Sequence, residues 1–317
     1  MTQQTLCCYD LIMVRSGEIL TINGNFDGEY CRATLSLFPS SMGNRLIDGR
    51  VYKKATYELG YKIPYVRKIL DLPGQQQFLV DRNSIVRVYS ARRAFDSLSF
   101  QDKIRTRLFM DYLGLDYNFH GLTGSSASGC RLSDSDFDWV LYTNQLWSVK
   151  QRVVDVPRML TFDMQHAYRK YHVFEVLSKQ DIDLIFGNKW KYLWFCGLHI
   201  SVNFVDMAVR ADHLCDTDNC RDRLVLRGRV IDGKGSYYSP YVIPFESDGQ
   251  TYQILTWLYL YNGAFASGDL IELSARRGSF GGQEYLVVER PPDYIRKLVC
   301  KDGGGYVSDR LYSASSS

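Results

Sequence analysis

Short runs of alternating apolar and polar residues recur within the first ninety positions of the chain. The runs cover residues 9–14, 19–23, 31–38 and 84–89, and turns rich in Gly, Asn and Asp separate them. Alternation over four to eight residues between such turns is typical of strands. The pattern therefore predicts a small β-rich module over residues 1–94.

The spacing changes at residue 96. An apolar residue then recurs at every fourth position, and one more widens the stripe: Phe100, Ile104, Leu108, Tyr112 and Phe109. This period predicts an amphipathic helix over residues 96–113, capped by Ser97 or Ser99. Strands are predicted at 117–122, 137–142 and 198–205, and helices over much of 143–194, with Ser178 capping a helix over 179–192. These elements form a predicted central module over residues 95–210.

Strand patterns return after residue 210. Runs rich in Tyr and β-branched residues lie at 224–230, 237–245, 251–259, 270–275 and 284–288, which suggests a barrel or a sandwich. The C-terminal module spans 211–317, and its last residues, 313–317, are predicted to be disordered. The whole chain is predicted to be an α+β protein, in which a central mixed-sheet module is flanked by a small β module and a β-barrel or sandwich.

Composition narrows the possible functions. The chain of 317 residues is 45% hydrophobic and 23% charged, which indicates a globular protein, and it has no apolar run of the roughly 20 residues that span a bilayer. Its eight cysteines form no zinc-ribbon pairs, so we expect a cytoplasmic protein with reduced thiols and no membrane partner. A net charge of +3 falls short of what a dedicated duplex-DNA binder shows.

The segment from residue 123 to residue 142 carries the chemistry. Gly124 allows the backbone to pass close to a ligand, and Ser125 with the following amides can donate hydrogen bonds to phosphate oxygens. Asp136 and Asp138 alternate into an apolar strand, so both carboxylates lie on one side of it. Two such carboxylates can hold one or two Mg²⁺ ions that bind a triphosphate.

In order and spacing, this segment resembles the active-site signature of the polymerase-beta-like nucleotidyltransferase superfamily. The matching features are the Gly124–Ser125 turn, Gly129, and the Asp136-x-Asp138 pair preceded by Ser135. More weakly, the whole chain resembles a group of predicted, mostly archaeal nucleotidyltransferases. The resemblance implies a central catalytic module, Mg²⁺ or Mn²⁺ as the cofactor, and a nucleoside triphosphate (NTP) bound over Gly124, Ser125 and Ser135.

Two details of this signature stay open in the sequence. Asp134 also alternates with the pair, so Asp134 and Asp136 are an alternative choice of metal ligands. The superfamily commonly adds a third carboxylate from a later strand, and Asp206 is the candidate here. The face of the 198–205 strand that points toward the pair carries Ser201 and Asn203 instead of an acid.

The expected reaction is transfer of a nucleoside monophosphate (NMP) to an RNA, a protein hydroxyl or a small molecule. The acceptor is predicted to meet the C-terminal module at a set of aromatic residues and an arginine rim: Tyr237, Tyr238, Tyr241, Trp257, Tyr259, Arg276 and Arg277. The alternatives are a nucleotide-binding regulatory protein without turnover and an RNA-binding module whose aspartates are structural. His213, Cys215 and Cys220 lack a familiar zinc spacing, so an acidic loop is favoured there.

Overall fold

The computed structural model describes most of the chain. The described residues are 5–55, 59–72, 75–115, 120–132, 135–143, 146–154, 177–187, 192–195, 198–214, 216–217 and 219–298. Within these ranges, no helix is both long enough and apolar enough to span a membrane. The predicted disordered tail at 313–317 lies outside them, as does the 155–176 part of the predicted helical region.

The N-terminal region forms an eight-stranded antiparallel sheet. Its strands are β1 Leu11–Val14, β2 Ile19–Ile22, β3 Tyr30–Pro39, β4 Arg45–Ile47, β5 Arg50–Lys54, β6 Arg67–Leu70, β7 Gln77–Asp81 and β8 Ile85–Tyr89. The long strand β3 pairs with β2 along one edge and with both β5 and β7 along the other. The sheet curves into a half-barrel, and the β4–β5 hairpin lies at its end.

The central region is a four-stranded mixed sheet with helices packed on one face. Its strands are β9 His120–Leu122, β10 Phe137–Tyr142, β11 Tyr192–Phe195 and β12 Leu198–Val205, in the order β11-β12-β10-β9. The β10 and β12 strands run parallel, and the other pairs are antiparallel. The described helices are α1 Phe100–Leu113, α2 Gly124–Ala127, α3 Leu146–Val154 and α4 Lys179–Phe186.

The C-terminal region is a six-stranded sheet that closes on itself. Its strands are β13 Arg221–Val230, β14 Tyr241–Ser247, β15 Gln250–Thr256, β16 Leu270–Phe280, β17 Gln283–Val288 and β18 Tyr294–Lys297. Because β13 pairs with both β14 and β16, the strands form a closed barrel. The barrel interior is filled by aliphatic and aromatic side chains, and Ile182 and Ile185 of α4 pack against the same core.

The α+β prediction for the whole chain is wrong, because the protein is mostly β. Strand accounts for 43% and helix for 22% of the described residues, with a closed barrel on one side and a half-barrel on the other. The helical share was overestimated in the central region, where a predicted helix over 179–192 ends at Phe186 and is followed by strand β11. A nucleotidyltransferase core rich in helices is therefore not the architecture of this chain.

Helix α1 begins where the sequence indicates, but it buries a different face. Ser99 caps it by accepting a hydrogen bond from the Asp102 amide at 3.2 Å. The every-fourth-residue stripe is exposed, with Phe100 at 79%, whereas Phe109 and Leu113 are fully buried. A spacing of four drifts around a helix of 3.6 residues per turn, so that stripe cannot stay on the core face.

The N-terminal half-barrel and the C-terminal barrel share one hydrophobic core. Phe26, Phe78 and Val80 of the half-barrel pack with Trp257 and Val287 of the barrel. The central sheet has its own core on the helix side, around Phe109 and Trp139. Its other face turns toward the two β regions, and this is where the candidate site lies. The three-part division at residues 94 and 210 remains a prediction.

Candidate functional site

The turn after β9 brings Gly124 against the carboxylate of Asp138. The Thr123 amide donates to the Asp138 carbonyl at 2.9 Å, and the Thr123 hydroxyl donates to the Tyr9 carbonyl at 2.6 Å. Gly124 has a φ of 62°, a backbone conformation that favours glycine. A Cβ at this position would lie 2.6 Å from Oδ2 of Asp138. The turn thus requires glycine both for its backbone and for its closeness to the carboxylate.

Strand β10 presents the two predicted metal ligands at its beginning. Asp136 directly precedes the strand and is exposed, and Asp138 is half-buried at its second position. In the parallel pairing with β12, Asp138 is the register partner of Ser201. The Ser201 hydroxyl donates to Oδ1 of Asp138 at 2.6 Å. This bond fixes the carboxylate and leaves Oδ2 on the side of Gly124.

The predicted third acid, Asp206, is not brought to this site. It follows the end of β12, where its Oδ1 accepts from the Ala208 amide at 3.0 Å, and it does not line the cavity described below. The face of β12 that carries the register partner of Asp138 includes Ser201 and Asn203, as the alternation indicates. A hydroxyl and an amide therefore lie beside the aspartate pair, where a third carboxylate was predicted.

Ser125 and Ser135 both lie at the site, with different surroundings. The Ser125 hydroxyl faces the cavity and has no hydrogen-bond partner among the described residues. The Ser135 hydroxyl accepts from the Leu132 amide at 3.0 Å and from Nη1 of Arg45 at 3.1 Å. Ser135 therefore holds the loop that leads into β10, and Ser125 is the hydroxyl that remains available to a ligand. Asp134 lies outside the described residues.

These residues line a cavity of about 460 Å³ between the three regions of the protein. The central sheet contributes the Gly124–Ser125 turn, Asp136, Asp138 and Asn203. The N-terminal half-barrel and the C-terminal barrel supply the other walls. A volume of this size is typical of small-molecule and cofactor sites, and it places polar groups from separate regions around one ligand.

The N-terminal wall includes small polar side chains and two cations among apolar residues. Four polar side chains of this wall form hydrogen-bonded pairs, Thr21 with Ser36 at 2.6 Å and Asn23 with Thr34 at 2.9 Å. The cations are Arg45 and Lys54, which are the first residue of β4 and the last residue of β5. Neither residue belongs to a recognisable motif of the sequence, although the Asp48-Gly49 turn between two apolar-polar runs is a hairpin signal. No local signal indicates that this hairpin meets the central module.

The C-terminal wall is aromatic. Of the five aromatic residues predicted to meet a substrate, Tyr241, Trp257 and Tyr259 line the cavity. The Tyr259 hydroxyl donates to Oδ1 of Asn203 at 2.8 Å, which joins this wall to the central sheet. The other two, Tyr237 and Tyr238, belong to the core of the central region. Tyr241 and Trp257 are 1% and 2% exposed, so the half-buried ring of Tyr259 is the aromatic group of this wall that can stack on a planar group.

Behind the lining residue Tyr9 lies a buried carboxylate that anchors the cavity floor. Oδ1 of Asp10 accepts from the Ala91 amide at 2.8 Å, and Oδ2 accepts from the Cys7 amide at 3.1 Å. Burial raises the pKa of Asp10 to about 6, although these bonds and the nearby Arg92 act in the opposite direction. Asp10 does not line the cavity, so its role is to hold the chain that carries Tyr9.

The donor set suits Mg²⁺ or Mn²⁺ bound together with a phosphate-bearing ligand. No group of three or more His, Cys, Asp or Glu side chains that could hold a metal is found in the described part of the chain. Mg²⁺, however, is commonly held by one or two carboxylates, with waters and substrate phosphates completing its ligands. Asp136 and Asp138 fit that pattern, and the glycine beside Oδ2 of Asp138 keeps space open where such a ligand would lie.

Two further predictions concern residues away from the cavity. Arg276 is not part of an acceptor rim, because it is 8% exposed and its Nε bonds to Oδ2 of Asp293 at 3.0 Å. It belongs to a buried ion cluster, which comprises Arg32, Glu289, Arg276 and Asp293. Arg277 is exposed. Cys215, one of the three residues considered as zinc ligands, lies outside the described residues.

Comparison of the chain with protein-family models, with curated proteins and with solved structures gives no match. Functional inference for this protein therefore starts from the cavity itself.

Proposed function

We propose that this cavity binds a metal-complexed nucleoside triphosphate and transfers its nucleoside monophosphate to an acceptor hydroxyl. One observation carries the proposal: the chain brings Gly124, Ser125, Asp136 and Asp138 together at one cavity, with no room for a side chain between residue 124 and the Asp138 carboxylate. The three regions that line the cavity also supply hydroxyls and cations, which can bind phosphate oxygens, and an aromatic ring, which can stack on a nucleobase.

In the proposed reaction, the acceptor oxygen attacks the α-phosphorus of the NTP. The bond from that phosphorus to the bridging oxygen breaks, pyrophosphate leaves, and the hydroxyl proton passes to solvent. Such a transfer depends mainly on positioning and on charge stabilisation. Asp136 and Asp138 would hold Mg²⁺ or Mn²⁺, which supplies positive charge to the phosphate oxygens. Ser201 keeps the Asp138 carboxylate in place through Oδ1.

The remaining walls bind the other parts of the substrates. The free Ser125 hydroxyl and the amides of its turn are donors for phosphate oxygens. The half-buried ring of Tyr259 provides a face on which a nucleobase can stack. RNA, a protein hydroxyl and a small molecule remain the acceptor classes to be distinguished.

A second candidate function is nucleotide binding without turnover. It is favoured by the register of β12, which places Ser201 and not an acid opposite Asp138, and by the position of Asp206 outside the cavity lining. The described lining residues contain two carboxylates, and no third acid is available among them to take the acceptor proton.

The test is label transfer from each of the four α-³²P NTPs, with Mg²⁺ or Mn²⁺, to cellular RNA, to lysate proteins and to small metabolites. We expect incorporation by the wild type and a loss of at least about a thousandfold in Asp136→Asn/Asp138→Asn, since two metal ligands contribute several kcal/mol to such a transition state. The matched control is Asp222→Asn/Asp248→Asn, which removes two exposed carboxylates of the barrel region that do not line the cavity.

The outcome separates the two candidates. Incorporation that depends on Asp136 and Asp138 and is retained by the control supports transferase activity and identifies the acceptor class. Metal-dependent NTP binding without incorporation into any acceptor supports the second candidate. Incorporation that survives in the double variant contradicts the assignment of the pair.

A further inference from the structure

Two cations lie on the N-terminal wall of the cavity. Arg45 and Lys54 line the cavity from the β4–β5 hairpin, and neither forms an ion pair with any described residue. Two buried arginines elsewhere in the protein are neutralised by carboxylates, Arg32 by Glu289 and Arg276 by Asp293. Cations that face a cavity without such a partner are available to an anionic ligand.

The position of Arg45 relates this pair to the aspartates. Its Nη1 donates to the Cys130 carbonyl at 3.0 Å and to the Ser135 hydroxyl at 3.1 Å, on the loop that leads directly to Asp136. The Nε and Nη2 atoms of Arg45 have no hydrogen-bond partner in the part of the chain that the structure describes. A guanidinium held by one edge therefore presents its other N–H groups beside the carboxylate pair, in a geometry suited to two phosphate oxygens.

Lys54 lies farther along the same wall. It ends β5, where it pairs in register with Leu37, and its neighbours on the cavity surface are Ser36, Leu37 and Ala55. Its side chain is exposed, so the ammonium group keeps its hydration until a ligand enters. An ammonium is a compact point charge that suits a terminal phosphate, while a guanidinium suits a bidentate contact.

We propose that the β4–β5 hairpin is the triphosphate clamp of this cavity. Arg45 and Lys54 bind the phosphate oxygens that are not held on the Asp136/Asp138 side, so the site distinguishes nucleotides by their number of phosphate groups. This inference rests on the proposed function, since it takes an NTP as the ligand. It assigns part of the phosphate recognition to the β4–β5 hairpin, which lies outside the active-site motif.

The experiment measures binding of a nucleoside and of its mono-, di- and triphosphate, with Mg²⁺, by isothermal titration calorimetry. The base is the one whose triphosphate binds the wild type most tightly. The variants are Arg45→Gln, Lys54→Gln and the double variant. The control is Arg50→Gln/Lys53→Gln, which removes two positive charges from the same hairpin at residues that do not line the cavity.

We expect each single variant to weaken triphosphate binding about tenfold, because each removes a charge-assisted hydrogen bond to a phosphate oxygen. The loss should be smaller for the monophosphate, and nucleoside binding should stay within about twofold of the wild type. Arg45→Lys, which retains the charge, should recover part of the affinity that Arg45→Gln loses. The control should bind all four ligands like the wild type.

Lys54→Gln alters an exposed side chain, so it keeps the test valid if Arg45→Gln impairs folding. Equal affinity of the double variant and the wild type for the triphosphate would overturn the clamp while leaving the proposed function intact. Equal losses for nucleoside and triphosphate would also overturn it. A wild type that binds no nucleotide in the presence of metal would instead reject the proposed function, and the clamp with it.

Discussion

Two polar assemblies of this protein combine carboxylates with arginines from different regions, and they differ in how their charges are balanced. In the buried ion cluster, Arg32 is fully buried and bonds to Glu289, which is 2% exposed. In the cavity, Arg45, Lys54 and the Asp136/Asp138 pair line one open volume, and no ion pair joins these described residues. The charges of the cluster are paired with one another, whereas the charges that line the cavity are open to a ligand.

This difference separates structural from functional charge. Buried ion pairs replace water by mutual hydrogen bonds, and removing one partner leaves a charge uncompensated. Groups around a cavity remain solvated until a ligand arrives, so their removal affects binding more than stability. Substitutions in the ion cluster should therefore lower stability, and substitutions around the cavity should lower ligand affinity.

The largest expected effect is on stability, from Glu289→Gln in the ion cluster. The substitution leaves the buried guanidinium of Arg32 without its carboxylate, so we expect the free energy of unfolding to fall by about 3–5 kcal/mol. Urea unfolding at pH 7 measures this loss. Glu284→Gln, which neutralises an exposed residue of the preceding strand β17, should change the free energy of unfolding by less than about 0.5 kcal/mol.

At a temperature where both variants are folded, their affinity for NTP should remain within about twofold of the wild-type value. A Glu289→Gln variant that keeps its stability but loses nucleotide affinity would reverse the roles assigned to the two assemblies.

The second prediction compares two glycines of the motif that share a backbone conformation. Gly124 and Gly129 have φ values of 62° and 72°, but a Cβ meets the Asp138 carboxylate only at residue 124, and nothing lies within 4 Å at residue 129. Gly124→Ala and Gly129→Ala should each cost about 1 kcal/mol of stability from the left-handed backbone. Thermal unfolding measures this shared cost.

Affinity for metal-complexed NTP should distinguish them. Gly124→Ala displaces the Asp138 carboxylate, and we expect a loss of about tenfold or more, while Gly129→Ala should remain within about twofold. Equal affinities of the two variants would show that the closeness of Gly124 to Asp138 has no role in binding.

The smallest effects concern two buried carboxylates with opposite pKa shifts. Burial alone would raise the pKa of Glu289, but the charge of Arg32 and the hydrogen bonds from Thr217 and Arg32 lower it below its usual range. Asp10 has mainly amide donors, and burial raises its pKa to about 6. Stability contributed by Glu289 is therefore present above pH 4.5 and is lost as the pH falls through its folded-state pKa.

The contribution of Asp10 to stability depends on pH in the opposite direction. Its contribution is present below pH 3.8 and is lost as the pH rises through about 6. Carbon-13 NMR of the carboxyl groups measures both titrations. A midpoint for Asp10 near 4, or one for Glu289 above 4.5, would contradict the assigned environments.

The sequence predicted local elements well where a single strand or turn decides them. Strands Phe137–Tyr142 and Leu198–Val205, and the caps at Ser99 and Ser178, are confirmed residue by residue. The alternation that placed Ser201 on the face of the aspartate pair is confirmed by its bond to Asp138. These features depend on neighbours along the chain or on the two-residue period of a strand.

Features that depend on packing between distant segments could not be predicted in this way. The exposed stripe of α1 looked like a core face, because period alone does not say which of two apolar faces meets the sheet. Arg276 resembled a surface residue, yet Asp293 and Glu289 bury it. Arg45 and Lys54 reach the cavity only because the half-barrel packs on the central sheet, and no motif encodes that contact.

The most direct test of the account is the metal dependence of NTP binding in the wild type and in Asp136→Asn/Asp138→Asn, measured by calorimetry with and without Mn²⁺. The account predicts that Mn²⁺ tightens wild-type binding by at least about tenfold, and that the double variant gains nothing from the metal. Equal wild-type affinity with and without Mn²⁺, or the same gain in the double variant, would contradict the assignment of this cavity as a metal and triphosphate site.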